Sequence, residues 1–233
     1  MSLLEARSLT RAFGGVQAVA GVDLDLAEGA IHALIGPNGA GKTTFVSLLC
    51  GRLMPDAGTI RLAGRDITRL PAYARVMLGI AYTFQITAIY PRLPVFDNVA
   101  LAVQRRGSAG LAAETRAALA RVGLERYADQ IAGTLAYGHQ RLLEIAMGLA
   151  LKPRLLILDE PTQGLAAGEI ATFKALAREI AASATVLLIE HNMEVVMDLA
   201  ERITVLDFGR TLAAGTPEEI RADPAVQAAY LGP

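Results

Sequence analysis

The sequence predicts an α/β fold in which a mostly parallel β-sheet is covered by helices on both faces. An apolar run at residues 30–35 leads straight into a glycine-rich loop and a helical pattern at residues 43–50. After Pro153, strand patterns alternate with helical patterns: strands at residues 155–158, 185–189 and 203–206, helices at residues 169–182 and 193–201. Strands that alternate with helices are typical of parallel sheets buried on both faces, which also explains the 53% of hydrophobic residues.

The rest of the chain adds two features to this pattern. Strand patterns at residues 3–9 and 16–26 precede the loop, and residues 58–65 are typical of a small hairpin. In the middle, prolines interrupt the chain and helical patterns follow, at residues 99–104, 111–122 and 140–151. We interpret residues 86–151 as a helical lobe inserted into one domain, whose core comprises residues 1–85 and 152–233. Thr216 and Glu219 have the spacing of a helix capping box, with Pro217 at the first helical position.

The composition excludes several classes of function. The 233 residues carry a formal net charge of -1 with both signs mixed, so we expect no nucleic-acid partner. A single cysteine, Cys50, and an N-terminus without a signal-peptide core indicate a reducing, cytosolic setting. Charge-free stretches such as residues 76–91 are interrupted by polar residues and proline, whereas a spanning helix needs about 18 or more apolar residues. Any link to a membrane is therefore expected to run through partner proteins.

The glycine-rich loop carries the clearest chemistry. It fits the pattern G-x-x-x-x-G-K-[ST], with an apolar strand before it and a helix after it: Gly36, Pro37, Asn38, Gly39, Ala40, Gly41, Lys42 and Thr43, followed by Thr44. Its glycines let successive backbone N–H groups face one concavity, and the helix N-terminus adds its positive dipole end. We therefore predict an ATP site in which Lys42 contacts the β- and γ-phosphates and the Thr43 hydroxyl binds Mg²⁺.

A second element is the apolar strand at residues 155–158, which ends in Asp159 and Glu160. Ligands bind at the carboxyl ends of such buried strands. We expect Asp159 to reach the Mg²⁺ and Glu160 to polarise the water that attacks the γ-phosphate. An apolar strand that ends in aspartate is common in α/β proteins, so this reading depends on the loop upstream.

Three further residues have an ordinary structural alternative. Gln85 is a candidate for contact with Mg²⁺ and the attacking water, although an isolated glutamine is usually a surface residue. His191 follows the strand at residues 185–189 and is a candidate partner of the γ-phosphate, although histidines of this kind are often satisfied by the backbone. Phe13 is a candidate to stack on adenine, although most phenylalanines belong to a core.

Read in order, these motifs resemble the ATP-binding subunits of ABC transporters over nearly the whole chain. In that family an aromatic residue stacks on adenine, as Phe13 would, while Gln85 matches the Q-loop and His191 the switch histidine. The diagnostic signature, usually Leu-Ser-Gly-Gly-Gln, is represented by Leu-Ala-Tyr-Gly-His at residues 135–139. The resemblance implies a P-loop NTPase (RecA-like) fold: a mostly parallel core sheet, an N-terminal antiparallel β part and an inserted helical subdomain that carries the signature.

Two positions depart from the family pattern. Ala136 lacks the serine hydroxyl that contacts a γ-phosphate in the family, although Gly138 and the helix after it still offer backbone donors to an anion. Ala166 occupies a D-loop position where aspartate or asparagine is usual. The resemblance implies that Ala136, Gly138 and His139 contact ATP held by a second subunit, with weakened phosphate sensing and weakened communication across the dimer.

Within the family, the chain resembles the branched-chain (hydrophobic) amino-acid importer ATPases in three segments. These are the signature, residues 189–194 and the C-terminus. This implies MgATP hydrolysis that energises uptake of branched-chain or related amino acids, by a peripheral subunit at the cytoplasmic face of the plasma (inner) membrane. The implied partners are a homologous or identical ATPase subunit, two integral membrane permease subunits and, indirectly, a solute-binding protein. The alternatives are a soluble ABC-type ATPase without a transport role, a binder that holds ATP without cleaving it, and import of a different small polar solute.

Overall fold

A computed structural model describes residues 2–83, 87–107 and 109–231 of the chain. The strands found within these ranges are β1 Ser2–Phe13, β2 Val16–Ala27, β3 Ile31–Ile35, β4 Ala57–Leu62, β5 Arg65–Asp66, β6 Ile80–Tyr82, β7 Leu155–Asp159, β8 Thr185–Ile189, β9 Arg202–Asp207 and β10 Arg210–Gly215. The α-helices found there are α1 Lys42–Leu49, α2 Ala72–Met77, α3 Val95–Arg105, α4 Leu111–Arg121, α5 Tyr137–Ala150, α6 Ala167–Ala181, α7 Met193–Leu199, α8 Pro217–Ala222 and α9 Pro224–Leu231.

The larger sheet confirms the predicted α/β fold. Its order is β10-β9-β3-β8-β7-β6, and every neighbouring pair is parallel except the edge pair of β9 and β10. All residues of β3, β7 and β8 are buried, as their continuous apolar runs predict. Because parallel strands place their carboxyl ends at one edge, the loop after β3 and the carboxylates at the end of β7 meet there.

The smaller sheet is antiparallel and is formed by the N-terminal part of the chain. Its order is β2-β1-β4-β5, with β1 paired antiparallel to both β2 and β4. A shared apolar cluster contains Leu4 and Val22 of this sheet, Phe45 of α1 and Leu187 of β8. The helix that follows the glycine-rich loop therefore packs between the two sheets.

The inserted helical subdomain is also present. Helices α3, α4 and α5 pack on one another between β6 and β7 in the chain, through buried residues such as Val99, Leu119 and Leu143. Two helices begin earlier than predicted: α3 at Val95, directly after Pro94, and α5 at Tyr137. Proline is tolerated at the start of a helix because the first N–H groups have no partner within it. None of the helices within the described ranges is both long enough and apolar enough to cross a membrane.

At the C-terminus the capping box is confirmed, while two elements were missed. The Thr216 N–H donates to Glu219 Oε2 at 2.8 Å, and Thr216 Oγ1 accepts from the Glu219 N–H at 3.3 Å. Strand β10 was not predicted. It returns along β9 through a two-residue turn in which Phe208 and Gly209 both have positive φ. Such turns match the twist of paired strands, so the turn geometry creates the extra edge strand. Helix α9 was also not predicted.

Arg75 is a fully buried cation that ties α2 to α1. Its guanidinium donates to the carbonyl oxygens of Leu48 and Leu49 at the end of α1, at 2.7 and 2.8 Å, and to those of Thr68 and Leu70. Burial lowers the pKa of Arg75 to about 10, which leaves the side chain charged at neutral pH. The last carbonyl groups of a helix lack partners within its regular pattern, and here the Leu48 carbonyl also accepts from the Gly51 N–H at 3.1 Å. Arg75 therefore completes the capping of α1 from outside.

We expect Arg75→Ala to lower the free energy of unfolding by about 3–5 kcal/mol, because it removes a buried donor that four carbonyl groups share and opens a cavity. Urea denaturation monitored by circular dichroism measures this change. The matched control is Arg69→Ala, since Arg69 is exposed and should cost no more than about 0.5 kcal/mol. Equal stability of the two variants would contradict the capping role.

His32 is a buried histidine in β3 that hydrogen-bonds Thr204 of β9, with 2.8 Å between Nε2 and Oγ1. Burial, helped by the positive charge of Arg202, lowers the pKa of His32 to about 4. The folded protein therefore keeps His32 neutral, whereas the unfolded chain takes up a proton near pH 6.5. Because the unfolded state binds more protons between these two values, stability falls as the pH is lowered through this window.

We expect this proton uptake to remove about 2 kcal/mol of stability between pH 7 and pH 5. His32→Gln keeps a nitrogen donor for Thr204 but cannot be protonated, so its stability should depend less on pH by that amount. Urea denaturation of both proteins at pH 7 and pH 5 measures the difference. Parallel pH dependence in the two proteins would show that His32 is not the responsible group.

Candidate functional site

The glycine-rich loop, residues 36–44, is called the phosphate loop below. It connects β3 to α1 and packs tightly against two other strands. A Cβ atom on Gly36 would lie 2.2 Å from the Leu206 carbonyl oxygen, and one on Gly41 would lie 2.3 Å from that of Ala18. Only glycine fits such close approaches of backbone to backbone. Lys42 folds back over the loop, where its Nζ donates to the Gly36 and Pro37 carbonyl oxygens at 2.6 and 3.0 Å.

A cavity of about 260 Å³ lies over the phosphate loop. The described residues that line it come from the loop, from the ends of β7 and β8 and from β2: Ala18, Asn38, Gly39, Ala40, Gly41, Lys42, Thr43, Thr44, Asp159, Glu160, Ile189 and His191. The fold therefore brings the predicted phosphate, magnesium and catalytic residues of three separate segments into one cavity.

Asp159 is the last residue of β7 and is buried. Tyr82, at the end of the neighbouring strand β6, donates its hydroxyl to Asp159 Oδ2 at 2.6 Å. Burial raises the pKa of Asp159 and the charge of Glu160 adds to this, while the Tyr82 hydrogen bond acts in the opposite direction. Tyr82 thus fixes one carboxylate oxygen and leaves the other available to the cavity.

Glu160 adopts a left-handed backbone conformation, with φ of 48°, which is uncommon for a residue with a side chain. Its N–H donates to the Ile189 carbonyl oxygen at 2.8 Å, and its own carbonyl oxygen accepts from Arg141 at 3.2 Å. His191 Nε2 lies 3.0 Å from Glu160 Oε1. These contacts hold a costly conformation in place, as is common at sites of chemistry.

Arg141 forms a buried ion pair with Glu144 one turn later in α5, at 3.2 Å. The other oxygen of Glu144 accepts from the Ala88 N–H at 3.3 Å. This pair therefore links the helical subdomain to Glu160 and to the segment after β6. Sequence reasoning missed both residues, because a charged pair within an amphipathic helix is usually a solvated one.

The signature residues lie outside the lining of this cavity. Ala136 precedes α5, and Gly138 and His139 are in its first turn. Tyr137 packs against Gly164, and a Cβ atom on Gly138 would lie 2.2 Å from Glu169 Oε1. The same Glu169 accepts from the Ala166 N–H at 2.8 Å, which is the glutamate half of a capping box at the start of α6, and alanine at residue 166 has no side-chain oxygen to supply the other half.

Phe13 and Gln85 complete the set of sequence-based candidates. Phe13 ends β1 and is 44% exposed, with the Arg11 guanidinium 4.9 Å from its ring centroid. It is not among the described residues that line the cavity, so adenine stacking stays a prediction. Gln85 lies outside the described residues.

Comparisons with known proteins agree with this geometry. A family model for the ABC transporter matches residues 19–163, and one for the branched-chain amino acid ATP-binding cassette transporter matches residues 210–232. The chain is 41% identical to the high-affinity branched-chain amino acid transport ATP-binding protein BraF of Pseudomonas aeruginosa and 40% identical to LivG of Escherichia coli, covering 99% of this chain and 98% of each relative. It is 36% identical to the lipopolysaccharide export system ATP-binding protein LptB of Escherichia coli, over 100% of this chain and 98% of that relative.

Solved structures give the same result. A nucleotide-free ATP-binding cassette from an ABC transporter superposes with a TM-score of 0.92 at 26% identity, and such a cassette in its ADP conformation superposes with 0.91 at 27%. Each comparison covers 100% of both chains. This chain belongs to the ABC transporter family, as an ATP-binding subunit that hydrolyses ATP.

Proposed function

We propose that this subunit binds MgATP at the phosphate loop and uses its hydrolysis to energise uptake of branched-chain or related amino acids. The observation that carries the chemical part is the 3.0 Å contact between His191 Nε2 and Glu160 Oε1 in the cavity over Lys42. A base, a residue that orients it and a phosphate-binding cation share one cavity. Hydrolysis of a γ-phosphate by an attacking water requires this set of groups.

The residues of the cavity fit a nucleotide with its magnesium ion. Magnesium is usually held by one or two protein ligands together with phosphate oxygens, and Thr43 and Asp159 supply this number, with Gln85 as a further candidate. When bound, the ion neutralises charge on the phosphates. The backbone N–H groups of the phosphate loop and the Lys42 ammonium bind phosphate oxygens.

The proposed chemistry depends on two polar side chains at the ends of β7 and β8. Glu160 accepts a proton from the attacking water, and its backbone contacts hold the carboxylate toward the cavity. His191 orients that carboxylate through Oε1 and contacts the γ-phosphate. Because the fold already holds the backbone donors of the phosphate loop before reaction, their reorganisation costs little.

We propose that two copies, or this chain and a homologous subunit, form the working site together. In one chain Gly138 and the first turn of α5 lie outside the cavity lining. A head-to-tail partner would bring its own α5 N-terminus over the nucleotide, where backbone donors and the helix dipole suit a phosphate. Ala136 and Ala166 weaken this contact without removing its backbone part.

Two membrane permease subunits are the proposed partners of the surface formed by α2 and α3. Met77 and Arg105 line one shared cavity, and Tyr73 and Leu101 stand one turn earlier on the same helices. Tyr73 and Met77 are 68% and 65% exposed, which is unusual for paired apolar side chains. This surface would hold the subunit at the cytoplasmic face of the plasma membrane, with a solute-binding protein engaged through the permeases. We also propose the division of the chain into a core of residues 1–85 with 152–233 and a helical subdomain of residues 86–151, which the packing of α3, α4 and α5 on one another supports.

The amino-acid assignment is supported by the names of BraF and LivG and by the match at residues 210–232. It is tested by reconstituting the subunit with its permeases in proteoliposomes loaded with ATP and measuring uptake of labelled leucine. Addition of the solute-binding protein should start uptake, and a Glu160→Gln complex should show none. ATP hydrolysis without leucine uptake would contradict the substrate, and failure to bind any permease would contradict the transport role.

A further inference from the structure

Glu190 is a buried carboxylate that connects two loops of the site. It follows β8 directly and is only 3% exposed. Its Oε1 accepts from the Thr162 N–H at 2.9 Å and from Thr162 Oγ1 at 2.5 Å. Its Oε2 accepts from the N–H groups of His191 and Asn192, at 3.0 and 3.2 Å. Each carboxylate oxygen therefore accepts hydrogen bonds from one loop: Oε1 from the loop after β7 and Oε2 from the loop after β8.

The chemistry of this arrangement suits an ionised carboxylate. An ionised carboxylate only accepts hydrogen bonds, and all four contacts of Glu190 come from donors. No arginine, lysine or histidine side chain forms an ion pair with Glu190 in the parts of the chain that the structure describes. The donors of the two loops thus stabilise the buried charge without a counter-ion, and displacing either loop would leave that charge short of partners.

The two loops that Glu190 joins are the ones that carry the proposed chemistry. Thr162 follows Glu160 by two residues, and His191 is the direct neighbour of Glu190. Asn192 accepts from the N–H groups of Glu194 and Val195 and so begins α7, which leaves its own N–H for Glu190. The position of the His191 backbone is therefore fixed on one side by α7 and on the other by Glu190.

We propose that Glu190 is a positioning residue for hydrolysis: it holds the His191 loop against the Glu160 loop, so that the two side chains meet. This inference rests on the proposed roles of Glu160 and His191. Glu190 does not line the cavity and does not contact the phosphate loop in the described structure. It acts on the rate of the chemical step and not on the capture of nucleotide.

Glu190→Gln tests the proposal with little change in volume. An amide has one acceptor oxygen and one NH₂ group, so the NH₂ must face two donors of one loop, and that loop moves away. Because displacements near 1 Å at a reacting centre cost up to about a hundredfold in rate, we expect kcat to fall ten- to a hundredfold. The KM for ATP should stay within about twofold, since only transition-state contacts are lost.

Hydrogen exchange gives a readout that loss of stability alone would not produce. In Glu190→Gln the amides of the displaced loop, either Thr162 or the pair His191 and Asn192, should exchange faster, while amides within β7 and β8 keep their protection. The matched control is Glu194→Gln, because Glu194 lies on the same segment with a side chain that is 84% exposed. A folded Glu190→Gln protein whose kcat is within twofold of the wild type would overturn the proposal.

A second variant covers the case in which Glu190→Gln does not fold. Thr162→Val removes only the hydroxyl donor to Oε1, and we expect kcat to fall about three- to tenfold with an unchanged KM. An unchanged kcat in a folded Thr162→Val protein would then overturn the proposal. His191→Ala and Glu160→Gln are assayed in parallel: if they lose turnover and the Glu190 variant does not, only the positioning role fails. Full turnover in His191→Ala would overturn the assigned site as well.

Discussion

Replacement of Glu160 by glutamine should lower ATP turnover at least a hundredfold while ATP still binds. The amide cannot accept a proton from the attacking water, and loss of a general base costs about 10²–10⁴ in rate. The backbone at this position is held by Ile189 and Arg141, whose contacts do not involve the side chain, so the cavity keeps its shape. Phosphate release and the binding of a fluorescent ATP analogue measure the two properties separately.

The oligomeric state of Glu160→Gln should also depend on bound ATP. If ATP closes a two-subunit site, Glu160→Gln should elute as a dimer in MgATP and as a monomer without it, because hydrolysis no longer opens the complex. Glu179→Gln is the control, since Glu179 is an exposed carboxylate on α6. Normal turnover by Glu160→Gln would refute the assigned base, and turnover loss without dimer formation would refute the shared site.

Lys42→Ala should weaken ATP binding by at least a hundredfold. Lys42 is buried in the phosphate loop, and it is the one lysine or arginine among the described residues that line the cavity. Burial lowers the pKa of Lys42, whereas the charges of Glu160 and Asp159 raise it. Without this ammonium those two carboxylates face the phosphates of the nucleotide without compensation, and like charges repel across a weakly screened space.

Titration with a fluorescent ATP analogue measures the affinity of this variant. Lys152→Ala is the matched control, because the Lys152 side chain is 61% exposed and lies away from the cavity. Both variants should unfold at similar urea concentrations, which separates a binding defect from misfolding. An affinity within threefold of the wild type would contradict the role of Lys42.

Much of the site followed from local sequence patterns. The phosphate loop was predictable because strand, glycines, lysine and helix are contiguous, and Asp159 because an apolar run ends in it. Glu190 carries the same signal, since it directly follows the apolar run of β8, but the sequence does not show which backbone groups its carboxylate contacts.

Other contacts could not be predicted from one sequence. The hydrogen bond between Tyr82 and Asp159 forms because β6 lies beside β7 in the sheet. The sequence of either strand alone does not predict which strands are neighbours. The start of α5 was placed three residues late because Ala136 offers no capping side chain. The first turn of α5 instead makes tertiary contacts: Tyr137 packs on Gly164, and Gly138 lies near Glu169. Such tertiary contacts override weak local preferences.

The hydrogen bond from Arg141 to the Glu160 carbonyl oxygen crosses the joint between the helical subdomain and the sheet. Hydrogen bonds to carbonyl groups weaken steeply when the angle at the hydrogen falls below about 120°, so a rotation of α5 would change the hydrogen bond to the Glu160 carbonyl group. The infrared frequency of a ¹³C=¹⁸O label at that carbonyl would therefore depend on the position of α5. Its infrared band would report the tilt of the helical subdomain from a single oxygen atom inside the catalytic loop.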